Sequence, residues 1–159
     1  MNISRPHVVF DCNVLFQALS RQHGPAAQCL LIAERNQVTL CLSKPILREL
    51  RKILAYPEIR AKNPHVTDAV INEFVAHLLF RAVLTRDVPH VIDFSRDSGD
   101  EPYLDLAVAT NAEYLVTRDK DLLSLPKVHS ITAQQLRQRC PSLRIVTPSE
   151  FAAALAPPV

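Results

Sequence analysis

Short apolar runs alternate along the chain with longer stretches of helical periodicity. The runs at residues 7–10, 38–42, 113–117 and 143–146 are short and rich in β-branched or aromatic residues, as buried strands are. Residues 83–92 fit neither a strand nor a helix clearly. Strands that alternate with helices predict an α/β fold of three layers, in which helices flank a central parallel sheet. The segment from Ser43 to Arg81 is predicted to form a helical hairpin that projects from this sheet.

Length and hydropathy indicate one domain. A chain of 159 residues, 48% of them hydrophobic, is long enough to bury a core, so we expect a single domain over residues 1–159 with a frayed tail at 156–159. Neither a membrane span nor the apolar core of a signal peptide is evident in the sequence. We therefore expect a cytoplasmic protein without a membrane partner.

The composition excludes several kinds of site. The chain contains only two glycines, too few for a dinucleotide-binding fingerprint and not spaced as in a P-loop. We therefore expect no nucleotide cofactor. The four cysteines and six histidines show no zinc spacing, and the cysteines are expected to be small buried residues. No Ser-His-Asp or Cys-His arrangement offers an activated nucleophile, which favours direct attack by water over a covalent intermediate.

Two of the predicted strands lead into acidic residues. Asp11 follows the first strand directly, and Asp119 follows the strand that ends near Thr117. Sites in open α/β sheets form beyond the carboxyl ends of the strands, where neighbouring strands would bring these two carboxylates together. The alternative interpretation is that each aspartate caps the helix that follows it.

Further acids lie in two helices. Glu49 falls beside Ile46 and Ile53 at the rim of an apolar helix face, unless it pairs with Lys52 at i, i+3. Asp97, Asp100, Glu101 and Asp105 gather at the start of another helix, where the helix dipole favours acids and where Asp100 is a natural N-cap. Four acids from separate segments at one sheet edge predict a hard divalent cation, Mg²⁺ or Mn²⁺, which polarises phosphates and activates water.

The ordered set of motifs resembles the PIN-domain family over nearly the whole chain. The motifs that carry the resemblance are Asp11-x-Asn13, Ser43 followed by Glu49, Asp97-x-x-Asp100-Glu101, Thr117-x-Asp119-x-Asp121, and Thr147-Pro148-x-Glu150. The resemblance implies a metal-dependent ribonuclease for single-stranded RNA, often a toxin with an antitoxin partner.

Carried over to this sequence, the resemblance implies a catalytic set of four acids, of which all but Glu49 hold the metal and Glu49 lies at its edge. These are Asp11, Glu49, Asp100 and Asp119, with Glu101 as the substitute for Asp100. Asn13, Ser43 and Thr117 would orient carboxylates or water around them.

Basic and apolar surfaces suggest further partners. Arg48, Arg51, Lys52 and Arg118 are candidates to guide the RNA backbone, although a solvated helix face gives the same pattern. The apolar content of residues 46–54 and 70–84 is generous for one small domain and predicts a two-fold homodimer. The alternative is that the hairpin folds back and buries both of its faces.

Two other enzyme classes and one binding function compete with this interpretation. A phosphatase of the haloacid-dehalogenase type also begins with a strand and Asp-x-Asp, but here Asn13 replaces the second aspartate. A receiver-like domain would need paired acids where Asp11 stands alone. A catalytically inactive PIN-like module that binds RNA or protein remains the non-enzyme alternative.

Overall fold

One five-stranded sheet forms the centre of the molecule. The computed structural model describes residues 4–156. The strands are β1 (His7–Phe10), β2 (Thr39–Ser43), β3 (Val83–Thr85), β4 (Tyr114–Val116) and β5 (Arg144–Val146). They lie in the order β3-β2-β1-β4-β5, and every pair is parallel. The predicted α/β fold with a central parallel sheet is confirmed.

Helices cover both faces of this sheet. In chain order they are α1 (Cys12–Ser20), α2 (Pro25–Glu34), α3 (Lys44–Ala55), α4 (Pro57–Lys62), α5 (Asp68–Arg81), α6 (Glu101–Thr110), α7 (Lys120–Ser124), α8 (Ile131–Arg139) and α9 (Pro148–Leu155). No helix within residues 4–156 is both long enough and apolar enough to span a bilayer. The predicted frayed tail lies outside the described residues apart from Ala156, and the single domain over residues 1–159 stays a prediction.

The predicted hairpin consists of α3 and α5, with the short helix α4 at its turn. Ile46, Leu50 and Leu54 form the buried face of α3, which packs against α5. The far side of α5 is not covered: Phe80 is 81% exposed, and Leu79 and Val83 are 43% and 53% exposed. The hairpin therefore does not bury both of its faces within the described chain.

Polar residues line the edge where the parallel strands end. Ser43 pairs with Thr85 at the ends of β2 and β3. Continuing the β1–β2 register by two residues places Asp11 beside Ser43, and continuing the β1–β4 register by one places Thr117 beside Asp11. The Asp11 N–H donates to Val116 O at 2.9 Å, and this hydrogen bond holds Asp11 beside Thr117. The apolar interiors of the strands thus give way to polar side chains along one edge, and this edge positions the site.

Candidate metal centre at the carboxyl edge of the sheet

Asp11 is a buried carboxylate between β1 and α1. It is 5% exposed, and Oδ1 accepts from the backbone N–H of Asn13 at 3.3 Å, so it caps α1. Its other oxygen, Oδ2, accepts from Thr117 Oγ1 at 2.8 Å. Burial raises the pKa of Asp11 above its ordinary value, while the Thr117 hydrogen bond partly opposes that shift. Asp11 therefore caps a helix and also belongs to the polar edge.

Thr117 joins Asp11 to Asp119. Its hydroxyl donates to Asp11 and accepts the Asp119 backbone N–H at 3.0 Å. Asp119 in turn caps α7, because Oδ1 accepts from Asp121 N at 2.8 Å and from Leu122 N at 3.4 Å. The capping interpretation is thus correct for both aspartates, and it does not compete with their convergence, since β1 and β4 are neighbouring strands.

Asp100 has a buried oxygen atom without a partner. The carboxylates of Asp97, Asp100 and Asp119 each place an oxygen within 4.8 Å of the others. Asp100 is 9% exposed, and its Oδ2 has no hydrogen-bond partner among residues 4–156. Burial, reinforced by the charges of Asp119, Asp97 and Asp11, raises the pKa of Asp100 to about 8. Asp100 holds the N-cap position of α6, but its side chain makes no capping hydrogen bond, contrary to the sequence prediction.

Glu49 is held by a tyrosine that sequence analysis did not single out. Tyr103 is fully buried on α6, and its hydroxyl donates to Glu49 Oε2 at 2.7 Å. The same hydroxyl accepts the Cys12 backbone N–H at 3.2 Å. A Glu49–Lys52 ion pair does not form in the described chain. The sequence feature that could have identified Tyr103 is its hydroxyl, because a tyrosine buried in an apolar helix needs a polar partner for that group.

Glu101 and Asp105 serve the loop that precedes α6. Glu101 Oε2 accepts the Phe94 backbone N–H at 2.8 Å. Asp105 is 6% exposed, and its Oδ1 accepts from the amides of Val91 and Ile92, each at 2.9 Å. Backbone donors of the loop therefore compensate the charge of the buried Asp105 carboxylate.

The remaining predicted residues lie around the edge. Asn13 is exposed at the start of α1, and Ser43 is buried with its Oγ unpartnered in the described chain. The predicted RNA-contacting side chains are all exposed: Arg48, Arg51, Lys52 and Arg118. The structure therefore brings Asp100 and Asp119 together and adds Asp97, which sequence analysis left out of the ligand set. Asp11 lies outside this group of three and is joined to Asp119 through Thr117.

The edge fits a hard divalent cation. All of its converging donors are carboxylate oxygens, which are the ligands that Mg²⁺ and Mn²⁺ prefer. The orphaned Asp100 Oδ2 is costly unless the carboxyl is protonated or a cation is present. Among the described residues, Asp100 Oδ2 is the one buried carboxylate oxygen without a hydrogen-bond partner.

Comparison with known proteins agrees with this fold. Residues 7–121 match the sequence profile of the PIN domain. The structure resembles the crystal structure of VapBC2 from Rickettsia felis bound to a DNA fragment from their promoter, with a TM-score of 0.53 and 15% identity. That likeness covers 89% of this chain and 98% of the other, and at this identity it concerns the fold alone. A comparison with curated proteins gives no match. Since the profile spans well over half of the sequence, the chain belongs to the PIN-domain family.

Proposed function

We propose that the protein is a Mg²⁺- or Mn²⁺-dependent endoribonuclease that cleaves single-stranded RNA at the carboxyl edge of its sheet. Membership of the PIN-domain family supports a nuclease. The observation that carries the proposal is the buried, unpartnered Asp100 Oδ2 beside Asp97 and Asp119. A buried carboxylate that served only the fold would be expected to have a hydrogen-bond donor at this oxygen.

Each acid has a separate role in this proposal. Asp11, Asp100 and Asp119 hold the cation, and Asp100 is preferred to Glu101 because Asp100 lies with Asp119, whereas Glu101 lies with His90 and Asp93. A bound divalent cation would polarise the scissile phosphate and activate water for in-line attack. Glu49 is held by Tyr103 through Oε2, which leaves Oε1 to accept a proton from the attacking water.

The neighbouring polar groups keep these acids in place. Thr117 bonds both Asp11 and the backbone of Asp119, so it sets the spacing of two ligands. Cys12 is not a nucleophile in this scheme. Burial raises the pKa of its thiol to about 12, and the thiol donates to Ile46 O at 3.2 Å.

The test measures RNA cleavage and thermal stability together. Purified protein should cleave a single-stranded RNA with Mn²⁺ and not with EDTA, and Mn²⁺ should raise its melting temperature. Asp11→Asn should remove at least about a hundredfold of the cleavage rate and most of the Mn²⁺ stabilisation. Glu73→Gln, at an exposed acid on α5 outside both acidic groups, is the matched control. Cleavage that survives in Asp11→Asn would refute the proposal, and metal binding without cleavage would favour the inactive module.

Basic side chains on α3 support an RNA substrate. Arg48 and Lys52 are exposed one turn apart, and we propose that with Arg51 and Arg118 they guide the RNA backbone. Replacing Arg48 and Lys52 together by alanine should reduce the slope of log K against log salt by about 1.4, since each phosphate contact on a single strand contributes ~0.7. The same double replacement at Arg137 and Arg139, exposed on α8, should leave the slope unchanged.

We also propose that the protein is the toxin of a toxin–antitoxin pair and acts on cytoplasmic RNA. The similar fold in the VapBC2 crystal structure supports an antitoxin partner. Growth arrest on expression, abolished by Asp11→Asn and relieved by the cognate antitoxin, is the expected result. Expression without any effect on growth would argue against the toxin assignment.

A homodimer would cover the exposed apolar side chains of α5 and β3. Leu79, Phe80 and Val83 are close in sequence and exposed, and a two-fold interface would bury them against their own copies. Light scattering should give a dimer mass for the wild type and a monomer mass for Phe80→Asp. Ile131→Asp, which places the same charge at a distant exposed apolar position, should remain dimeric. A wild-type monomer that persists on concentration would contradict the proposal.

A further inference from the structure

A pocket opens between the ends of β2 and β3 and the first turn of α3. Its volume is about 230 Å³, and Ser43, Lys44, Arg48, Thr85 and Asp87 are among the residues that line it. None of the converging acids of the metal centre lines it. The pocket is therefore a separate feature of the same sheet edge.

Ser43 contributes a buried hydroxyl that the protein does not use. The residue is 1% exposed, and its Oγ has no hydrogen-bond partner in the described chain. Ser43 holds the N-cap position of α3, yet its side chain accepts no hydrogen bond from the first turn. A serine at such a position normally caps the helix, and an unsatisfied buried hydroxyl costs about 1–3 kcal/mol. It also makes no hydrogen bond to a carboxylate of the metal centre, as its expected orienting role would require.

The groups around Ser43 favour an anion. Lys44 and Arg48 bring two exposed positive charges from α3, and the uncapped N-terminus of this 12-residue helix adds its positive dipole end. Thr85 stands opposite Ser43 in the strand register, so a second hydroxyl lies at the same level of the sheet. Asp87 is the acidic residue of the lining, and one carboxylate is outweighed by two cations and a helix terminus.

The position of the pocket beside the metal centre indicates which anion it binds. The register places Ser43 beside Asp11, and neighbouring strands lie ~4.8 Å apart. The pocket is thus one or two strand spacings from the proposed cleavage centre, on the side from which the basic face of α3 extends. We infer that this pocket is a subsite for a backbone phosphate of the RNA substrate, next to the phosphate that is cleaved. The inference rests on the proposed ribonuclease function for the identity of the ligand.

Ser43→Ala gives this subsite an unusual signature. Removing an orphaned buried hydroxyl should leave the melting temperature of the free protein unchanged or higher, because the desolvation cost disappears. The same change should raise the KM for single-stranded RNA about tenfold, since it removes a hydrogen bond to a charged group, with a smaller effect on kcat. A residue that only supported the fold would instead lower the melting temperature.

The deciding experiment uses inorganic phosphate as the probe, in metal-free buffer, against chloride at equal ionic strength. Phosphate should raise the melting temperature of the wild type and of Ser149→Ala, an exposed serine on α9, and should lose most of this effect in Ser43→Ala. Asp87→Asn should enlarge the phosphate effect, because it removes the opposing charge. A wild type that responds equally to both anions, or a Ser43→Ala that keeps the response, would overturn the subsite. Since this readout needs neither metal nor turnover, it separates failure of the subsite from failure of the ribonuclease proposal.

Discussion

Two groups of acidic side chains meet at the start of α6, and they differ in how their oxygen atoms are satisfied. The edge cluster consists of Asp97, Asp100 and Asp119. The loop cluster consists of His90, Asp93 and Glu101, and the buried carboxylate of Asp105 lies against His90 at 2.9 Å. Asp100 and Glu101 are consecutive residues, yet they belong to different clusters.

The loop cluster is satisfied by the protein itself. Asp105 accepts two backbone amides, and Glu101 accepts a third. Backbone donors and His90 therefore compensate the charge that burial would otherwise penalise. In the edge cluster backbone amides also donate to Asp97 and Asp119, but Asp100 Oδ2 has no donor in the part of the chain that the structure describes.

The difference separates two uses of a carboxylate. Where backbone amides converge on an acid, the acid stabilises a loop, and its loss should cost folding free energy. Where a buried acid lies among other acids and has an oxygen without a donor, as Asp100 does, its charged form destabilises the fold until a cation or a proton binds. The same residue type should therefore respond with opposite signs of stability change in the two clusters.

The largest effect is expected at Asp105. Asp105→Ala leaves the Val91 and Ile92 amides without acceptors and should lower the free energy of unfolding by about 3–5 kcal/mol. For a domain of this size the melting temperature should fall by about 10 °C. Urea unfolding measures the first quantity, and Asp105→Asn, which keeps one acceptor oxygen, should lose clearly less. A decrease of less than about 1 kcal/mol in the free energy of unfolding would contradict the distinction between the two clusters.

Asp100→Asn should act in the opposite direction in metal-free buffer. The pKa of Asp100 is raised from 3.8 to about 8, so the folded state binds a proton in this window that the unfolded state has released. Stability must then fall as the pH rises from about 4 to about 8. Asp100→Asn should flatten this fall and raise the melting temperature at pH 8, whereas Mn²⁺ should stabilise the wild type and not the variant. A variant that is less stable than the wild type at pH 8 in EDTA would place Asp100 with the structural acids.

Glu49 is intermediate between the two clusters, because a side-chain donor, Tyr103, holds one of its carboxylate oxygens. Tyr103→Phe tests what this hydrogen bond does. The change removes the hydroxyl that donates to Glu49 and accepts from Cys12 N, without altering the volume of the core. We expect a loss of about 1–2 kcal/mol in the free energy of unfolding and a fall of about tenfold in the cleavage rate. Measuring the rate at saturating RNA distinguishes misplacement of Glu49 from weaker binding. An unchanged rate would restrict Tyr103 to packing.

The smallest effect is expected at His90. The Asp105 hydrogen bond and charge raise the pKa of His90 above 6.5, so the protonated ring stabilises the fold at low pH. This contribution is complete below pH 6.5 and is lost as the pH rises through the raised pKa. His90→Ala should therefore be slightly destabilising at pH 5.5 and nearly neutral at pH 9, as followed by thermal unfolding. His129→Ala, at another exposed histidine, is the matched control.

Local patterns predicted most of the fold. The β1 run is a strong signal because its consecutive apolar residues are all buried, and the α5 stripe is one because Ile71, Val75 and Leu78 are buried at helical spacing. The capping box of Thr147 and Glu150 at α9 also formed as its motif indicates. Strand β3 was not predicted, because it has three residues and Val83 is half exposed, which leaves no alternation to detect.

The chain sequence by itself determined which acids follow strands, since that depends on residues adjacent along the backbone. Asp11 and Asp119 could be placed at the sheet edge in this way. Only the tertiary structure decided which acids are satisfied and which are not. Asp100 and Glu101 are neighbours in sequence. In the folded chain the Phe94 amide donates to Glu101, whereas Asp100 lies beside the carboxylates of Asp97 and Asp119. Hydrogen bonds between segments distant in sequence have no periodic signature, so the difference between a structural and a metal-binding carboxylate is set by the folded chain.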